Sequence, residues 1–370
     1  MTRVYFDNVA TTSLNEEVKA TYKKLLDEYY CNSDALYDDG VAIYRMMENA
    51  RKNIASLLKV NEKEVIFTSG ASEANSLAIK GLCLSQNKRK HIITSVYEHS
   101  SAYNSIKQLE ENFGFKVDYL SPDKNGVISP EKVKEKLSCD TILVSIMCVN
   151  NEIGSINDIN AIKKIVKQNS GTYFHSDITQ AMGKIDIDLK DIDLASFSAH
   201  KLHGLKGSGI LIKKQHVNLL PLVNGGQQEF GVRGGTSNAL VNICFAKTLR
   251  IALENKDKYK QHIKDLNQYF VAEAKKIDGI KINNVGIDSL INISTPVKSE
   301  VMLNALNLKG IMVSSKSTCS SREHGINRAL SAIGVDEDYA IRVSFDYQNT
   351  KEEIDYFMNS IKEAIQIYGA

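Results

Sequence analysis

The sequence predicts an α/β protein in which a mostly parallel sheet is covered by helices on both faces. From about residue 15 to residue 255, apolar segments of strand length alternate with segments whose apolar residues recur at helical spacing. Strands separated by helices usually pair in parallel through crossover connections. The predicted strands cover residues 65–68, 91–95, 141–147, 172–175, 194–198 and 210–212.

The predicted helices alternate with these strands. Two of them precede the first strand, at residues 16–30 and 44–58, and a third begins at Glu73, shortly after that strand ends. A fourth covers residues 100–112 and follows the second strand. This order favours crossover units, in which the ligand crevice lies at the carboxyl ends of the strands.

After about residue 256 the pattern changes to a lysine-rich amphipathic helix, short strands and a final helix. A chain of 370 residues is long enough for two structural units. We predict a large α/β domain over residues 15–256 and a smaller α+β domain formed by residues 1–14 and 257–370. A continuous helix is expected to join them. The predicted elements of the second part are helices at 257–277, 299–308 and 351–368 and strands near 280–282, 289–294 and 340–345.

The composition does not demand any particular class of partner. The net charge is +2, from 46 scattered basic and 44 acidic residues, so we expect neither direct nucleic-acid binding nor a membrane surface. No apolar run reaches the ~18 residues of a membrane span. The first residues lack the apolar stretch of a signal peptide, which favours a cytoplasmic location. The six cysteines are widely spaced and suggest reduced thiols, and the cysteines and histidines fit no compact metal cluster.

Lys201 and Asp177 are the first candidates for chemistry. Lys201 follows the predicted strand 194–198, and Asp177 follows the strand 172–175, so both belong to the ligand edge of the sheet. A lysine amine can form a Schiff base with pyridoxal phosphate (PLP), and a carboxylate can pair with the pyridinium nitrogen of that cofactor. The alternative for Asp177 is an ordinary solvated aspartate at a strand end.

Other motifs allow two readings each. Residues 69–73, between a strand and a helix, suit either a phosphate site or a simple helix cap. His99 suits either stacking on a flat ring and proton transfer or helix capping. Residues 225–236 form the densest glycine region, either a loop that closes on a phosphate or a partner subunit, or a flexible surface loop. Arg342 lies in an apolar strand and suits either a carboxylate ligand or an internal salt bridge.

Cys319 decides how such a cofactor would be used. It lies among small polar residues, in the segment 314–321, where a cysteine is expected to be exposed and mobile. A thiolate in that setting suits a nucleophile.

Taken in order, these segments resemble the class V aminotransferase family, and specifically cysteine desulfurases of the NifS/IscS type. The resemblance implies PLP-dependent transferase fold type I, with a mostly parallel seven-stranded sheet sandwiched by helices. Lys316 and Phe230 differ from the family, which usually has glycine and a basic residue at these positions. The segments that carry the resemblance are 5–12, 67–73, 98–99, 149–154, 175–180, 198–201, 225–236 and the loop around Cys319.

The resemblance also implies roles for single residues toward PLP. Lys201 would hold the cofactor, Asp177 would pair with its ring nitrogen, Gln180 would contact its phenolic oxygen, and His99 would stack on its ring. The residues implied to bind its phosphate are Ser72, Ser198, His200 and, reaching over from the neighbouring subunit of a homodimer, Thr236.

For the substrate, the resemblance implies that Asn151 and Arg342 bind the carboxylate of L-cysteine. Lys201, Cys319 and His99 would be the catalytic residues, and the products would be L-alanine and a persulfide on Cys319. The sulfur would pass to an acceptor protein, either an iron–sulfur scaffold or a tRNA-thiolation enzyme. One alternative is another class V PLP lyase or aminotransferase, such as a selenocysteine lyase, in which Cys319 is not essential. A second is a catalytically silent binding protein with the same fold.

Overall fold

The computed structural model describes residues 3–86, 88–284, 286–315 and 327–369. The strands in these ranges are β1 (Val4–Tyr5), β2 (Val65–Thr68), β3 (His91–Ser95), β4 (Lys116–Leu120), β5 (Thr141–Ser145), β6 (Tyr173–Asp177), β7 (Leu194–Ser198), β8 (Gly209–Lys213), β9 (Lys281–Asn284), β10 (Leu290–Ser294), β11 (Ile311–Met312) and β12 (Ala340–Ser344).

Helices connect most of these strands. They are α1 (Glu16–Glu28), α2 (Asp38–Leu58), α3 (Ala71–Ser76), α4 (Leu82–Leu84), α5 (Ser100–Phe113), α6 (Pro130–Lys136), α7 (Ile159–Lys167), α8 (Ala239–Glu254), α9 (Lys256–Ala274), α10 (Ser299–Leu308), α11 (Arg328–Ala332) and α12 (Lys351–Tyr368). A π-helical segment, Leu77–Gly81, joins α3 to α4. In the described ranges no helix combines the length and the apolar content needed to cross a membrane.

A seven-stranded sheet forms the centre, in the order β2-β8-β7-β6-β5-β3-β4. Only β8 runs antiparallel to its neighbours β2 and β7. The other pairs are parallel. The expectation of a mostly parallel seven-stranded sheet is therefore confirmed.

Helices cover both faces of this sheet, because successive strand residues point to opposite sides. Ile93 on β3 belongs to one apolar cluster, with Met47 of α2 and Leu249 of α8. The preceding residue, Ile92, belongs to another cluster, with Ile106 of α5. β3 is thus apolar on both sides, which explains why its sequence is a continuous apolar run rather than an alternating one.

A second core contains β1, the three-stranded antiparallel sheet β12-β10-β9 and the packed helices α9, α10 and α12. Phe6 lies at its centre, and its ring meets the rings of Phe345 and Phe357 edge-on, with centroids 5.7 and 5.9 Å apart. β1 pairs with β11, so the start of the chain packs against its last third. The domain boundaries at residues 14 and 256 stay predictions.

Local sequence signals account for several helix ends. The side chain of Asn15 accepts hydrogen bonds from the first turn of α1, and Thr350 forms a capping box with Glu353 at the start of α12. The expected continuous helix between the two parts is wrong, because α8 ends at Glu254 and α9 begins at Lys256. Asn255 between them has φ −101° and ψ 3°, and its Nδ2 donates to the carbonyl oxygen of Ile251 at 2.9 Å. Such local bonds compete with helix continuation.

Candidate active site

One cleft, with an empty volume of about 1470 Å³, lies where the carboxyl ends of the parallel strands meet. Cys319 lies outside the described residues. Thr236 is exposed and does not line this cleft of its own chain. Nine of the predicted site residues line the cleft: Ser72, His99, Asn151, Asp177, Gln180, Ser198, His200, Lys201 and Arg342.

Lys201 is held by the start of the chain. It ends the short 3-10 turn that follows β7, and its Nζ donates to the carbonyl oxygens of Val9 at 2.5 Å and Ala10 at 2.6 Å. Thr12 adds two more links, since its backbone N and its Oγ1 each donate to the carbonyl oxygen of His200 at 3.0 Å. The segment around Val9 therefore forms a wall of the cleft and keeps the lysine amine at its edge.

Asp177 is buried at the end of β6, with 4% of its surface exposed. Its Oδ2 accepts a hydrogen bond from Nδ2 of Asn75 at 2.7 Å, and its Oδ1 accepts one from the backbone N of Thr179 at 2.9 Å. No described lysine, arginine or histidine forms a salt bridge with it. A buried carboxylate without a cation is costly, so a ring nitrogen that carries a proton suits this position. The buried Asp177 carboxylate thus fits the protonated ring nitrogen of PLP.

Asn75 is a site residue that the sequence reasoning missed. It is fully buried in α3, and its Nδ2 also donates to Oγ of Ser101 at 2.9 Å. The available signal was a polar residue at a helix position that faces an apolar core. The structure therefore adds a residue that orients Asp177 from behind.

His99 caps a helix, one of its two predicted roles, and also lines the cleft. Its Nδ1 accepts a hydrogen bond from the backbone N of Ser101 at 3.2 Å, so it caps α5, and it also lines the cleft. Burial lowers the pKa of His99, the nearby charge of Asp177 opposes this, and Lys201 lowers it further. The imidazole is therefore neutral near pH 7, and with Nδ1 accepting, the hydrogen is assigned to Nε2.

Gln180 follows Asp177 by three residues, and its amide is bonded on both sides. Its Nε2 donates to the carbonyl oxygen of Val9 at 3.1 Å, and its Oε1 accepts from Nζ of Lys184 at 3.1 Å. Burial lowers the pKa of Lys184 to about 8, an effect that Asp346 partly offsets. Because Lys184 fixes the oxygen side of the amide, the NH₂ group is turned to the N-terminal wall of the cleft.

Arg342 takes part in internal salt bridges, which the sequence left open as the alternative to substrate binding. The guanidinium is 1% exposed, and Nη1 donates to Oε1 of Glu152 at 3.1 Å and to the carbonyl oxygen of Asn151 at 2.9 Å. Nη2 donates to Oδ1 of Asp7 at 3.1 Å. Burial raises the pKa of both Asp7 and Glu152, and the charge of Arg342 opposes this. One cation thus holds two carboxylates.

The corner formed by residues 69–73 has the features of an anion site. Ser72 is exposed at the start of the helical stretch that begins with α3, where backbone amides and the helix dipole favour negative charge. Ser198, His200 and the exposed Lys206 line the same cleft. Burial lowers the pKa of His200 to about 4, and Lys201, Lys206 and His99 add to this, so its ring is neutral.

Glu98 is a buried acid that the sequence reasoning also passed over. Its Oε1 accepts hydrogen bonds from Oγ of Ser95 at 2.6 Å and from the backbone N of Met147 at 3.0 Å. Its Oε2 has no hydrogen-bond partner in the described part of the chain. Burial raises the pKa of Glu98 to about 8, Asp177 adds to the rise, and Arg328 opposes it. This neutral acid ties the turn that carries His99 to the end of β5.

The fold and the lysine–aspartate cleft together define an α/β protein whose cleft residues fit an amine-reactive cofactor. The sequence profile of the family described as aminotransferase class-V matches residues 4–357. The chain therefore belongs to the class-V aminotransferase family. This family is generally PLP-dependent.

Known relatives cover nearly the whole chain. A protein named cysteine desulfurase IscS from Dictyoglomus turgidum is 37% identical over 374 residues, which cover 98% of this chain and 94% of the relative. A NifS/IcsS protein homolog from Lactobacillus delbrueckii is 36% identical and covers 99% of this chain and 98% of the relative. The solved structure of a NifS-like protein superimposes with a TM-score of 0.93 at 34% identity, covering 99% of this chain and 100% of that one.

Proposed function

We propose that this protein is a PLP-dependent cysteine desulfurase that releases L-alanine from L-cysteine and retains the sulfur as a persulfide on Cys319. The observation that carries the proposal is the convergence of Lys201, Asp177 and Arg342 on one cleft. The curated relatives named cysteine desulfurase support it, since their similarity extends over almost all of the chain.

Specific residues would hold the cofactor. Lys201 would carry it through Nζ, Asp177 would pair with its ring nitrogen, and Gln180 would donate to its phenolic oxygen. Bound PLP supplies an electron sink for the bonds to the substrate's α carbon. Asn75 and Thr179 keep the Asp177 carboxylate in one orientation, so the charge that maintains this sink is fixed before the substrate arrives. The proposed phosphate ligands within the chain are Ser72, Ser198 and His200.

Two groups would move protons. Lys201 Nζ, when it is not bound to the cofactor, would be the base for the proton on the substrate's Cα. His99 is neutral, so its ring would first take up a proton at Nδ1, in place of the hydrogen bond from Ser101, and then give one from Nε2. The low pKa of His99 suits this exchange because a neutral ring does not compete with Lys201 for the cofactor's negative charges.

The substrate carboxylate would bind Arg342 and Asn151, and the existing salt bridges limit how this happens. Arg342 already contacts Asp7 through Nη2 and Glu152 through Nη1, so a third carboxylate that approaches these two nitrogens competes with one of them. The Asp7 side chain is 19% exposed and makes one bond with Arg342, whereas the Glu152 side chain is 8% exposed and is also bonded to Asn151. We propose that the substrate carboxylate displaces Asp7, and not Glu152, from Arg342.

The sulfur step would be an attack by the Cys319 thiolate on the sulfur of bound cysteine. One S–S bond forms, the Cβ–S bond breaks, and the electron pair of the broken bond passes to the substrate carbon skeleton, which leaves as alanine after protonation. A persulfide remains on the protein for an acceptor, such as an iron–sulfur scaffold or a tRNA-thiolation enzyme. The proposed location is the cytoplasm, where a thiol can stay reduced.

We further propose a homodimer in which Thr236 binds the cofactor phosphate of the neighbouring subunit. Thr236 is exposed and lies outside the cleft of its own chain, which agrees with a role in a second active site. Lys201 and Asp177 both come from the same chain, so their arrangement does not depend on the proposed dimer.

The test compares alanine formation from L-cysteine by PLP-loaded wild-type protein and by Cys319→Ala. We expect the variant to lose almost all activity, while Cys139→Ala, which removes an exposed thiol elsewhere in the chain, stays active. Full alanine production by Cys319→Ala would instead favour another class V lyase or aminotransferase. No alanine from either protein would favour the silent binding protein.

A further inference from the structure

The glycine-rich loop of residues 225–236 is anchored to the body of the protein by a buried ion pair. Arg51 on α2 donates from Nη1 to Oε2 of Glu229 at 2.7 Å and from Nη2 to Oε1 at 2.9 Å. Both side chains are 3% exposed. This two-point contact fixes the direction of the loop as well as its distance from α2.

The ion pair is fully hydrogen-bonded, as a buried pair must be to be favourable. Nη1 of Arg51 also donates to the carbonyl oxygen of Val65 at 2.6 Å, and its Nε donates to Oε1 of Glu48 at 3.0 Å. Oε2 of Glu229 accepts a further bond from the backbone N of Phe67 at 2.8 Å. Glu229 thus binds both α2 and β2, the edge strand of the seven-stranded sheet that ends at the proposed phosphate corner.

The backbone of the loop is strained at the anchor. Glu229 has φ 47° and ψ 46°, and Phe230 has φ 57° and ψ 30°, so two successive residues with side chains occupy the left-handed region. This conformation is unfavourable for residues other than glycine and persists only where the surroundings impose it. The Phe230 ring lies against Arg51, with 5.1 Å between the guanidinium carbon and the ring centroid. A merely flexible surface loop would relax this strain.

A second ionic contact ties the far end of the loop to the active site. Nε of Arg233 donates to Oε1 of Glu73 at 2.9 Å. Oε2 of Glu73 accepts from the backbone N of Ser69 at 2.7 Å. Thr236 follows Arg233 by three residues, so its position depends on both ionic contacts.

We infer that the Arg51–Glu229 pair is a positioning device that sets Thr236 for the active site of a second copy of this chain. The inference rests on the proposed homodimer and extends it, because it names the residues that make the loop rigid enough to serve another subunit. Arg51 and Glu229 act through Thr236 and touch neither cofactor nor substrate.

The test uses mixed dimers that carry one Lys201→Ala chain, so that only one site per dimer can bind PLP through lysine. In the first arrangement Glu229→Gln is on the same chain as Lys201→Ala; in the second it is on the other chain. Both dimers contain the same substitutions, so any general loss of stability affects them equally. The readout is the visible absorbance of lysine-bound PLP as the cofactor is titrated.

In the first arrangement the intact site receives its loop from the Glu229→Gln chain, so we expect its PLP affinity to fall about tenfold, as for one lost charge-assisted bond. In the second arrangement the loop comes from a chain with an intact anchor, and the affinity should stay close to that of the Lys201→Ala mixed dimer alone. Equal affinities in the two arrangements would overturn the inference.

Thr236→Ala in the same two arrangements separates this outcome from failure of the shared site. If the effect of Thr236→Ala on PLP affinity depends on the arrangement and the effect of Glu229→Gln does not, the loop is shared but the ion pair does not position it. If neither depends on the arrangement, the shared site itself is wrong and the inference falls with it. If both substitutions lower the PLP affinity in the first arrangement only, the results support both the shared site and the positioning role of the ion pair.

Discussion

Replacement of Glu98 by glutamine should make the stability of the protein less sensitive to pH. Glutamine keeps the shape of the side chain, and its Oε1 can accept the same two hydrogen bonds, from Ser95 and Met147. Only the ability to ionise is lost. Any difference between the two proteins that grows with pH therefore reports the charge of Glu98 in the folded state.

The sign and size of the effect follow from the raised pKa of Glu98, which lies at about 8 instead of 4.5. Between these two values the folded protein keeps the proton and the unfolded chain releases it, so the free energy of unfolding of the wild type falls as pH rises. The slope in this window is up to about 1.4 kcal/mol per pH unit. Over the whole window the loss of unfolding free energy is of the order of a few kcal/mol. Burial is the main cause of the raised pKa, Asp177 adds to it, and Arg328 opposes it.

The assay is urea unfolding of cofactor-free protein, at one fixed protein concentration and at several pH values across the window. The advantage of Glu98→Gln over the wild type should be small at the acid end and increase steadily toward pH 8. Glu135→Gln, at an exposed position, controls for the loss of a glutamate as such. A constant difference between Glu98→Gln and wild type, or one that shrinks as pH rises, would refute the reasoning.

Two further predictions concern the cleft. Asn75→Ala removes the 2.7 Å bond to Asp177 and should weaken PLP binding about tenfold in an absorbance titration. Ser76→Ala, which removes the hydrogen bond between the next residue of α3 and Ser105, should bind PLP almost as the wild type does, and equal losses would contradict the role given to Asn75. Asp7→Asn weakens the group that competes for Arg342 and should lower the KM for L-cysteine several-fold. Its kcat should change little, and an unchanged or raised KM would show that Asp7 does not yield to the substrate.

Much of the fold could be predicted because buried parallel strands are apolar on both faces. The strands at residues 91–95 and 194–198 are found with the predicted bounds. β4 was missed because it is an edge strand, Lys116–Leu120, whose mixed polar and apolar residues are mostly half-exposed. The helix Pro130–Lys136 was also missed, although Ser129 and Pro130 are a typical cap and first residue.

The sequence could predict which residues form the site, but not which residues they contact. Strand ends placed Lys201 and Asp177 at one edge of the sheet because parallel strands direct their carboxyl ends there. The partners of Arg342 come from residues 7 and 152, which are more than 180 positions away along the chain. No local pattern records such pairs, so the competition for this guanidinium became visible only in the fold. Asn75 was missed for the same reason, because its partner Asp177 lies 102 positions further along the chain.

The persulfide on Cys319 is the central claim, and mass spectrometry tests it most directly. PLP-loaded protein is incubated with L-cysteine, digested without reductant and compared with a reduced sample. The peptide containing Cys319 should gain one sulfur atom, which reductant removes. Alanine formation with no added sulfur on that peptide, or with the sulfur on Cys139 instead, would contradict it.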